Sequence, residues 1–307
     1  MPLFKITRTT LSTVDQTNFH FEKELQKLIE NNLEAVFGCR FVATEFPTGE
    51  QHAGRIDTLA LSEDDNPVII EYKKVESSAL INQSLFYLAW LQDHQGDFAM
   101  AVQEELGKEA KEDWSDIRVI CLAPNYKKHD LHAVQVMGAN LELWAYRLFK
   151  NNSLYLEKIF PKATTTSQPH SSGGLTAGQK AALTRKTASY TVEQHFANKP
   201  DLVTRGAKSI QEFILGLDPS IEEVPKKKYI AYKTSQNFIY MKIQKSRVVL
   251  TVKLDLQEVD VPHELHAKDS TRSDQSGTRY LCLYVKTESA MQSVKPLLEL
   301  AYQKIGG

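Results

Sequence analysis

Three residues in the first quarter of the chain have the types and spacing needed for metal-assisted chemistry. Asp57 ends the run Arg55-Ile56-Asp57, while Glu71 and Lys73 end the run Val68-Ile69-Ile70-Glu71-Tyr72-Lys73. Side chains alternate between the faces of a strand, so Glu71 and Lys73 are expected on one face. Two converging carboxylates can hold Mg²⁺ or Mn²⁺, and a nearby ammonium can stabilise charge on a phosphate. The spacing therefore predicts hydrolysis of a phosphodiester bond.

A purely structural interpretation of Glu71 and Lys73 is also available. Charged residues often line the solvated face of an edge strand as weak ion pairs. Here the pair ends an almost continuous apolar run, which favours a central strand. The turn Asp64-Asp65-Asn66-Pro67 predicts a hairpin that brings Asp57 beside them. The three residues together favour the functional interpretation.

The elements predicted for the first half of the chain are those of an α/β fold. Helices placed on both sides of a mixed central sheet make an α/β sandwich. In order, these elements are a strand at Leu3–Thr7, a helix capped by Thr17 or Asn18 and ended by Gly38, strands at Phe41–Phe46, Arg55–Leu61 and Val68–Lys73, helices at Ser78–Gln92 and Phe98–Lys108, a strand at Ile117–Ala123, a helix at Leu131–Gly138 and a strand at Leu141–Phe149.

Composition predicts two domains of opposite charge. The chain has 307 residues, and its stretch Ala163–Gly178 is rich in Thr, Ser and Gly, which is typical of a flexible linker. We therefore predict one domain at 1–162 and a second at 179–307, joined by the linker 163–178. Residues 1–162 carry a net charge of −7 and residues 163–307 one of +6. The basic half is suited to meet a polyanion, although scattered lysines can also simply keep a surface soluble.

The four parts Glu22, Arg55-Ile56-Asp57, Glu71-Tyr72-Lys73 and Gln83 with Tyr87 resemble the motif of a known superfamily. This is the PD-(D/E)XK, or restriction-endonuclease-like, nuclease superfamily, and within it the branch of the archaeal NucS-type endonucleases. The resemblance spans about residues 15–150. It departs from the superfamily pattern where Ile56 precedes Asp57 in place of a proline.

The resemblance implies a restriction-endonuclease-like α/β sandwich and a set of site residues. Asp57, Glu71 and the backbone carbonyl of Tyr72 would be ligands of Mg²⁺ or Mn²⁺. Lys73 would be the catalytic lysine. Gln83 would lie beside Lys73 and the scissile phosphate, and a helix glutamate would complete the catalytic set.

Several of these assignments leave alternatives open. Glu22 is predicted to be the helix carboxylate because it lies nearer the apolar stripe than Glu24, although both could be solvated. Gln83 could instead border a core helix. The remaining nucleic-acid contacts predicted in this domain are Lys74, Tyr87 and Arg55, with the alternative that Arg55 braces Asp57.

The second domain is predicted to be α+β with a largely antiparallel sheet, and it resembles a bacterial domain of unknown function sometimes labelled a predicted transport protein. Lys227, Lys228 and Lys233 lie among aromatic residues, a mixture suited to nucleic acid. The alternative is a sheet whose aromatics form the core and whose lysines are solvated. The predicted elements are helices at Thr191–Ala197 and Leu202–Leu217, strands at Lys228–Thr234, Phe238–Gln244, Val248–Leu254 and Tyr280–Val285, and a helix at Ser289–Lys304.

The sequence as a whole predicts a metal-dependent DNA endonuclease, in repair or in defence against foreign DNA. The alternatives are a non-catalytic nucleic-acid- or protein-binding module that keeps the nuclease fold, and RNA as the substrate. DNA is the expected partner, and a homodimer would allow two sites to cut both strands. No apolar run is long enough for a bilayer, no signal peptide is evident, and three scattered cysteines fit no zinc or disulfide spacing, so we expect a cytoplasmic protein.

Overall fold

The computed structural model describes residues 2–49, 54–137, 141–159, 190–273 and 279–307. These residues belong to two compact units, one containing residues 2–35 and 39–159 and the other containing residues 190–273 and 279–307. The predicted linker 163–178, and with it both predicted domain boundaries, lies outside the described residues.

The first unit is built around a mixed β-sheet. Its elements are β1 (Leu3–Thr7), β2 (Thr10–Val14), β3 (Gln16–Thr17), α1 (Glu22–Glu30), α2 (Leu33–Phe37), β4 (Cys39–Pro47), β5 (Arg55–Ser62), β6 (Pro67–Tyr72), α3 (Ala79–Asp93), α4 (Gln95–Leu106), β7 (Arg118–Ala123), α5 (Lys128–Met137), β8 (Leu141–Phe149) and β9 (Leu154–Lys158).

The sheet order is β3-β8-β7-β6-β5-β4, and β9 also pairs with β8. Strands β6, β7 and β8 are parallel, whereas β4, β5 and β6 form antiparallel pairs, as predicted for the β5–β6 hairpin. On one face, Ile69 and Cys121 pack with Leu80 of α3 in an apolar core. On the other face, the Thr58 hydroxyl donates to Glu30 of α1 at 2.7 Å and lies 3.3 Å from the Tyr72 hydroxyl. Helices therefore cover both faces of the sheet.

The first predicted helix is wrong in its extent. Instead of one helix from Thr17 or Asn18 to Gly38, the chain forms α1 and α2 with a break after Glu30. The carboxylate of Glu24 accepts the backbone amides of His20 and Phe21, so the helix is capped from within its first turn. At the break, the Asn32 side chain donates to the Leu28 carbonyl and competes with helix continuation.

The second unit is a six-stranded antiparallel sheet with the order β10-β11-β12-β13-β15-β14. One face packs in a large apolar core with α7 and α9. The closing helix is split in two where a single helix was predicted. The elements are α6 (Val192–Phe196), α7 (Asp201–Leu217), β10 (Glu222–Pro225), β11 (Ile230–Lys233), β12 (Asn237–Ile243), β13 (Val248–Val252), a short 3₁₀ turn (His263–Leu265), β14 (Lys268–Ser273), β15 (Arg279–Val285), α8 (Glu288–Ser293) and α9 (Lys295–Lys304).

The predicted fold class is confirmed: a mixed central sheet between helices, consistent with a restriction-endonuclease-like sandwich, accompanies a smaller α+β unit. None of the described helices is both long and apolar enough to cross a bilayer.

Candidate active site

Asp57 and Glu71 meet where the β5–β6 ladder ends. The last backbone pair of the two strands is Thr58 with Ile70. Beyond it, each carboxylate accepts the backbone amide of the opposite strand. Asp57 Oδ2 accepts the Tyr72 amide at 3.1 Å, and Glu71 Oε1 accepts the Asp57 amide at 3.0 Å. The hairpin thus holds two acidic side chains side by side, and their orientation is fixed by the backbone.

Glu71 is an unusually placed acid because it is fully buried. Its second oxygen, Oε2, has no hydrogen-bond partner among the described residues. Burial and then the charge of Asp57 raise the pKa of Glu71 to about 9. Burial likewise raises the pKa of Asp57, although the Tyr72 amide opposes this rise. The charge of Lys73 lowers both pKa values but does not offset the effect of burial.

Lys73 lies just past the end of β6 and is held by two acceptors. Its ammonium is 3.0 Å from Glu22 Oε1 and donates to its neighbour's carbonyl, Tyr72 O, at 2.8 Å. Burial alone would lower the pKa of Lys73, but the hydrogen bond and charge of Glu22 outweigh it, so the pKa is raised. The other oxygen of Glu22 accepts the Lys74 amide at 3.0 Å. Lys73 is therefore a fixed cation at neutral pH.

The residues at this end of strands β5 and β6 fit a hard divalent cation. Glu71 Oε2, which has no hydrogen-bond partner among the described residues, and the Asp57 carboxylate, whose charge raises the pKa of Glu71, form an incomplete set of oxygen donors. With the Tyr72 carbonyl, they offer the oxygen ligands that Mg²⁺ and Mn²⁺ prefer, and Mg²⁺ keeps several waters in such sites. No group of three or more His, Cys, Asp or Glu side chains that could hold a metal occurs in the described part of the chain. A bound ion would thus depend on this pair.

The structure places Glu22, not Glu24, against Lys73. It also brings in two residues that the sequence did not single out. The Gln26 amide, one helical turn after Glu22, donates to the Asp57 carbonyl at 2.7 Å. Tyr146 is buried on β8, its hydroxyl has no hydrogen-bond partner among the described residues, and burial followed by the charge of Glu22 raises its pKa to about 12. The spacing of Glu22 and Gln26 could have indicated Gln26; no local signal points to Tyr146.

The other predicted contacts of this unit lie farther from the carboxylates. The Gln83 amide donates to the Tyr87 hydroxyl at 3.1 Å, and no hydrogen bond between described residues joins Gln83 to Lys73. Tyr87 is buried, and a Cβ at Gly54 would lie 2.9 Å from its hydroxyl. Tyr87 therefore packs under the start of β5. The exposed Arg55 is 3.5 Å from Glu45 Oε2, so Arg55 pairs with Glu45 and not with Asp57.

The basic residues predicted to bind nucleic acid occupy different surroundings. The Lys74 ammonium donates to the His20 carbonyl at 2.8 Å, beside the site. In the second unit, Lys227 and Lys228 are exposed between β10 and β11, whereas the Lys233 ammonium is 3.7 Å from a carboxylate of Glu222. The neighbouring aromatics are mainly core residues, including the buried Tyr232, Phe238 and Tyr240.

Comparison with known protein families gives a match within the second unit. Residues 192–304 match the family described as "Domain of unknown function (DUF5655)", which confirms that a domain of unknown function occupies this half. An uncharacterized protein of Haemophilus influenzae is 27% identical over 305 residues, covering 98% of this chain and 99% of its own length.

Solved structures give distant matches over about half of the chain. A repair endonuclease from Pyrococcus abyssi matches with a TM-score of 0.24 at 19% identity, covering 48% of this chain and 50% of its own. EndoMS in complex with double-stranded DNA matches with a TM-score of 0.24 at 16% identity, covering 47% of this chain and 64% of its own. Apo EndoMS has a TM-score of 0.25 at 17% identity, covering 46% and 62% respectively. The chain thus spans under two thirds of each of these proteins.

Proposed function

We propose that the protein is a metal-dependent endonuclease that hydrolyses phosphodiester bonds in DNA. The proposed site lies in the first unit, where the β5–β6 ladder ends. The observation that carries the proposal is the pairing of half-buried Asp57 with buried Glu71, whose Oε2 has no hydrogen-bond partner among the described residues, beside the fixed ammonium of Lys73. A structural acid in the core is normally paired or hydrogen-bonded on both oxygens. An unsatisfied acid oxygen next to the charge of Asp57 is instead the arrangement expected of a cation site.

Asp57, Glu71 and the Tyr72 carbonyl would hold Mg²⁺ or Mn²⁺. When bound, the ion would supply a Lewis acid that polarises the phosphate and acidifies a water. The protein's own task is to keep both carboxylates in place, which the two backbone amides do. Because each acid is oriented by the other's strand, the pair needs little reorganisation when the ion arrives.

Lys73 supplies positive charge for the phosphate. Its side chain is 22% exposed, so it can meet a ligand while it remains anchored to Glu22. A positioned cation of this kind stabilises negative charge that develops in the transition state. Glu22 acts through Lys73: it keeps the ammonium charged and directed to the sheet edge. Gln26 of α1 supports the same end of the strands, because its side-chain amide donates a hydrogen bond to the Asp57 carbonyl.

DNA is proposed as the substrate on two grounds. The motif parts at Glu22, Asp57, Glu71 and Lys73 resemble those of a nuclease branch that cuts DNA. The second half of the chain also carries net positive charge, with Lys227 and Lys228 exposed. Positive charge is what phosphate backbones attract, whatever the sequence of the nucleic acid.

The test is cleavage by the full chain of single-stranded, duplex, branched and modified DNA, and of RNA, with Mg²⁺ or Mn²⁺. Asp57→Asn and Lys73→Met are expected to reduce kcat by about 10²–10³ or more, because each removes a charge that acts on the reacting phosphate. Lys108→Met is the matched control, since Lys108 is an exposed lysine of the same unit, just after α4. Its activity is expected to equal that of the wild type.

Activity that persists in both Asp57→Asn and Lys73→Met would refute the proposed site. Cleavage of RNA but not DNA would replace the substrate and leave the site intact. Binding of every DNA without cutting under any metal would refute catalysis and favour a binding module.

A further inference from the structure

The N-terminal ribbon, which consists of β1, β2 and the two residues between them, is an isolated antiparallel hairpin. It forms its own two-stranded sheet, separate from the central sheet. Its residues are exposed on both faces except at its base. Two-stranded hairpins are marginally stable alone in water. An exposed ribbon of this kind is therefore expected to be stabilised by contact with a binding partner.

The ribbon leaves the sheet on the side of the candidate active site. Tyr72, Leu122 and Trp144 lie level with one another in the parallel strands β6, β7 and β8. Strand β8 then continues to Phe149, roughly 17 Å farther at a strand's rise per residue. There β3 pairs with it, and Asp15 at the ribbon's base is tied to Lys150. The distance corresponds to roughly five base pairs of duplex.

The segment after the ribbon leads directly into the site. Residues 18–21 connect β3 to Glu22, which holds Lys73, and the His20 carbonyl accepts the Lys74 ammonium. The ribbon and the proposed catalytic groups are therefore joined by one short stretch of chain along the same edge of the sheet.

The ribbon's surface suits DNA. Residues 2–14 contain Lys5 and Arg8 and no acidic residue, so the ribbon carries two positive charges. Arg8 is at the tip with a φ of 55°, a conformation that costs a residue other than glycine about 1–2 kcal/mol. Hydroxyl side chains flank it, and hydroxyls and basic groups are the usual donors to phosphate oxygens. A two-stranded ribbon also has the width of the major groove.

A second copy of the chain is the less suitable partner. Phe4, Ile6 and Leu11 are 46%, 72% and 65% exposed, and the strand register puts them on one face. That face, five residues long and two strands wide, covers only about 170 Å² at ordinary strand spacings. A stable interface needs about 800 Å² from each partner. Next to a DNA groove, the same apolar side chains can contact sugars and bases.

We infer that the N-terminal ribbon is a DNA-binding element that contacts the substrate beside the active site. The face of Phe4, Ile6 and Leu11 meets sugars and bases, while Arg8 at the tip and Lys5, which the register places with Ser12 on the opposite face, meet phosphates along the groove. This inference rests on the proposed function. It adds a contact surface that lies apart from the catalytic groups and that the chemistry itself does not require.

The test measures duplex binding by the full chain in an Asp57→Asn background, as a function of salt. Lys5→Ser with Arg8→Asn removes both charges, and asparagine suits the positive φ at the tip, so folding is expected to be unimpaired. The slope of log affinity against log salt is expected to fall by up to about 1.8, since each lost phosphate contact contributes about 0.9. Phe4→Ser with Ile6→Thr is expected to weaken binding about tenfold with no change in the slope.

The matched control is Lys108→Ser with Lys111→Asn, which removes the same charge from exposed positions between α4 and β7, at the opposite edge of the sheet. An unchanged slope is expected there. If the Lys5 and Arg8 variant behaves like this control, the ribbon inference is wrong while the proposed function stands. If the apolar variant instead converts a dimer to a monomer in sedimentation and leaves binding unchanged, the ribbon's partner is a second copy. If the protein binds and cuts no DNA at all, the proposed function itself fails.

Discussion

Replacing Glu71 with glutamine is expected to stabilise the metal-free protein, and increasingly so as pH rises. The pKa of Glu71 is raised from its ordinary 4.5 to about 9 by burial and by the charge of Asp57. Below pH 4.5, both the folded and unfolded chains hold this proton, and it has no effect on stability. Between pH 4.5 and 9, the unfolded chain releases the proton and the folded chain keeps it. Unfolding is therefore favoured progressively as pH rises.

The magnitude follows from the distance between the pH and the ordinary pKa. At pH 7.5 the difference is about 3 units, and at about 1.36 kcal/mol per unit the buried acid destabilises the fold by up to about 4 kcal/mol. Glutamine has the same shape and does not titrate. Its Oε1 can still accept the Asp57 amide, but its Nε2 becomes a buried donor that costs about 1–3 kcal/mol if unpaired. The expected net gain is about 1–3 kcal/mol at pH 7.5, and at pH 5 it turns into a net loss of up to about 2 kcal/mol.

Urea unfolding in EDTA, at pH values from 5 to 8.5, measures this difference. Glu142→Gln is the matched control, because Glu142 is also buried but accepts Arg118 Nε at 2.6 Å and Nη2 at 3.0 Å. That variant breaks a buried pair and is expected to lose about 3–5 kcal/mol. The reasoning is refuted if Glu71→Gln is less stable than the wild type at pH 7.5, or if its offset is the same at every pH.

Three further predictions test the same edge of the sheet. Mg²⁺ or Mn²⁺ is expected to raise Tm, and its affinity is expected to increase with pH because binding displaces the proton of Glu71. An affinity that does not change with pH in isothermal titration calorimetry would contradict this. Glu22→Gln is expected to lower kcat in cleavage assays, because it weakens the hydrogen bond and ion pair that position Lys73. Glu24→Gln is expected to leave kcat unchanged and to cost about 1 kcal/mol of stability in urea unfolding, because it weakens the cap of α1. Tyr146→Phe is expected to change the free energy of unfolding by under about 0.5 kcal/mol, because its hydroxyl has no hydrogen-bond partner among the described residues. Tyr126→Phe is expected to cost about 1–2 kcal/mol, because it removes the hydrogen bond that the Tyr126 hydroxyl donates to the Cys121 carbonyl at 2.6 Å, with the Trp144 carbonyl at 3.2 Å. Equal losses in urea unfolding would show that Tyr146 is partnered.

The sequence by itself determined the order of most elements and the local arrangement of the chemistry. The almost continuous apolar run before Glu71, the turn at 64–67 and the apolar helix after Lys73 depend on residues close together in the chain, so strands β5 and β6 and helix α3 were predictable. The spacing of Glu71 and Lys73 followed from strand geometry alone. The fold class followed from the alternation of these elements.

Only the tertiary structure decided which distant groups meet. Glu22 reaches Lys73 across 51 positions and Gln26 reaches Asp57 across 31, because the docking of α1 on the sheet sets those distances. Tyr146 lies near Glu22 because β8 extends several residues beyond the end of its pairing with β7. The N-terminal ribbon has an apolar alternation like that of a buried strand, yet nothing local shows that its faces stay exposed. Whether a side chain is buried, and whether a buried oxygen such as Glu71 Oε2 has a partner, depends on every element packed around it.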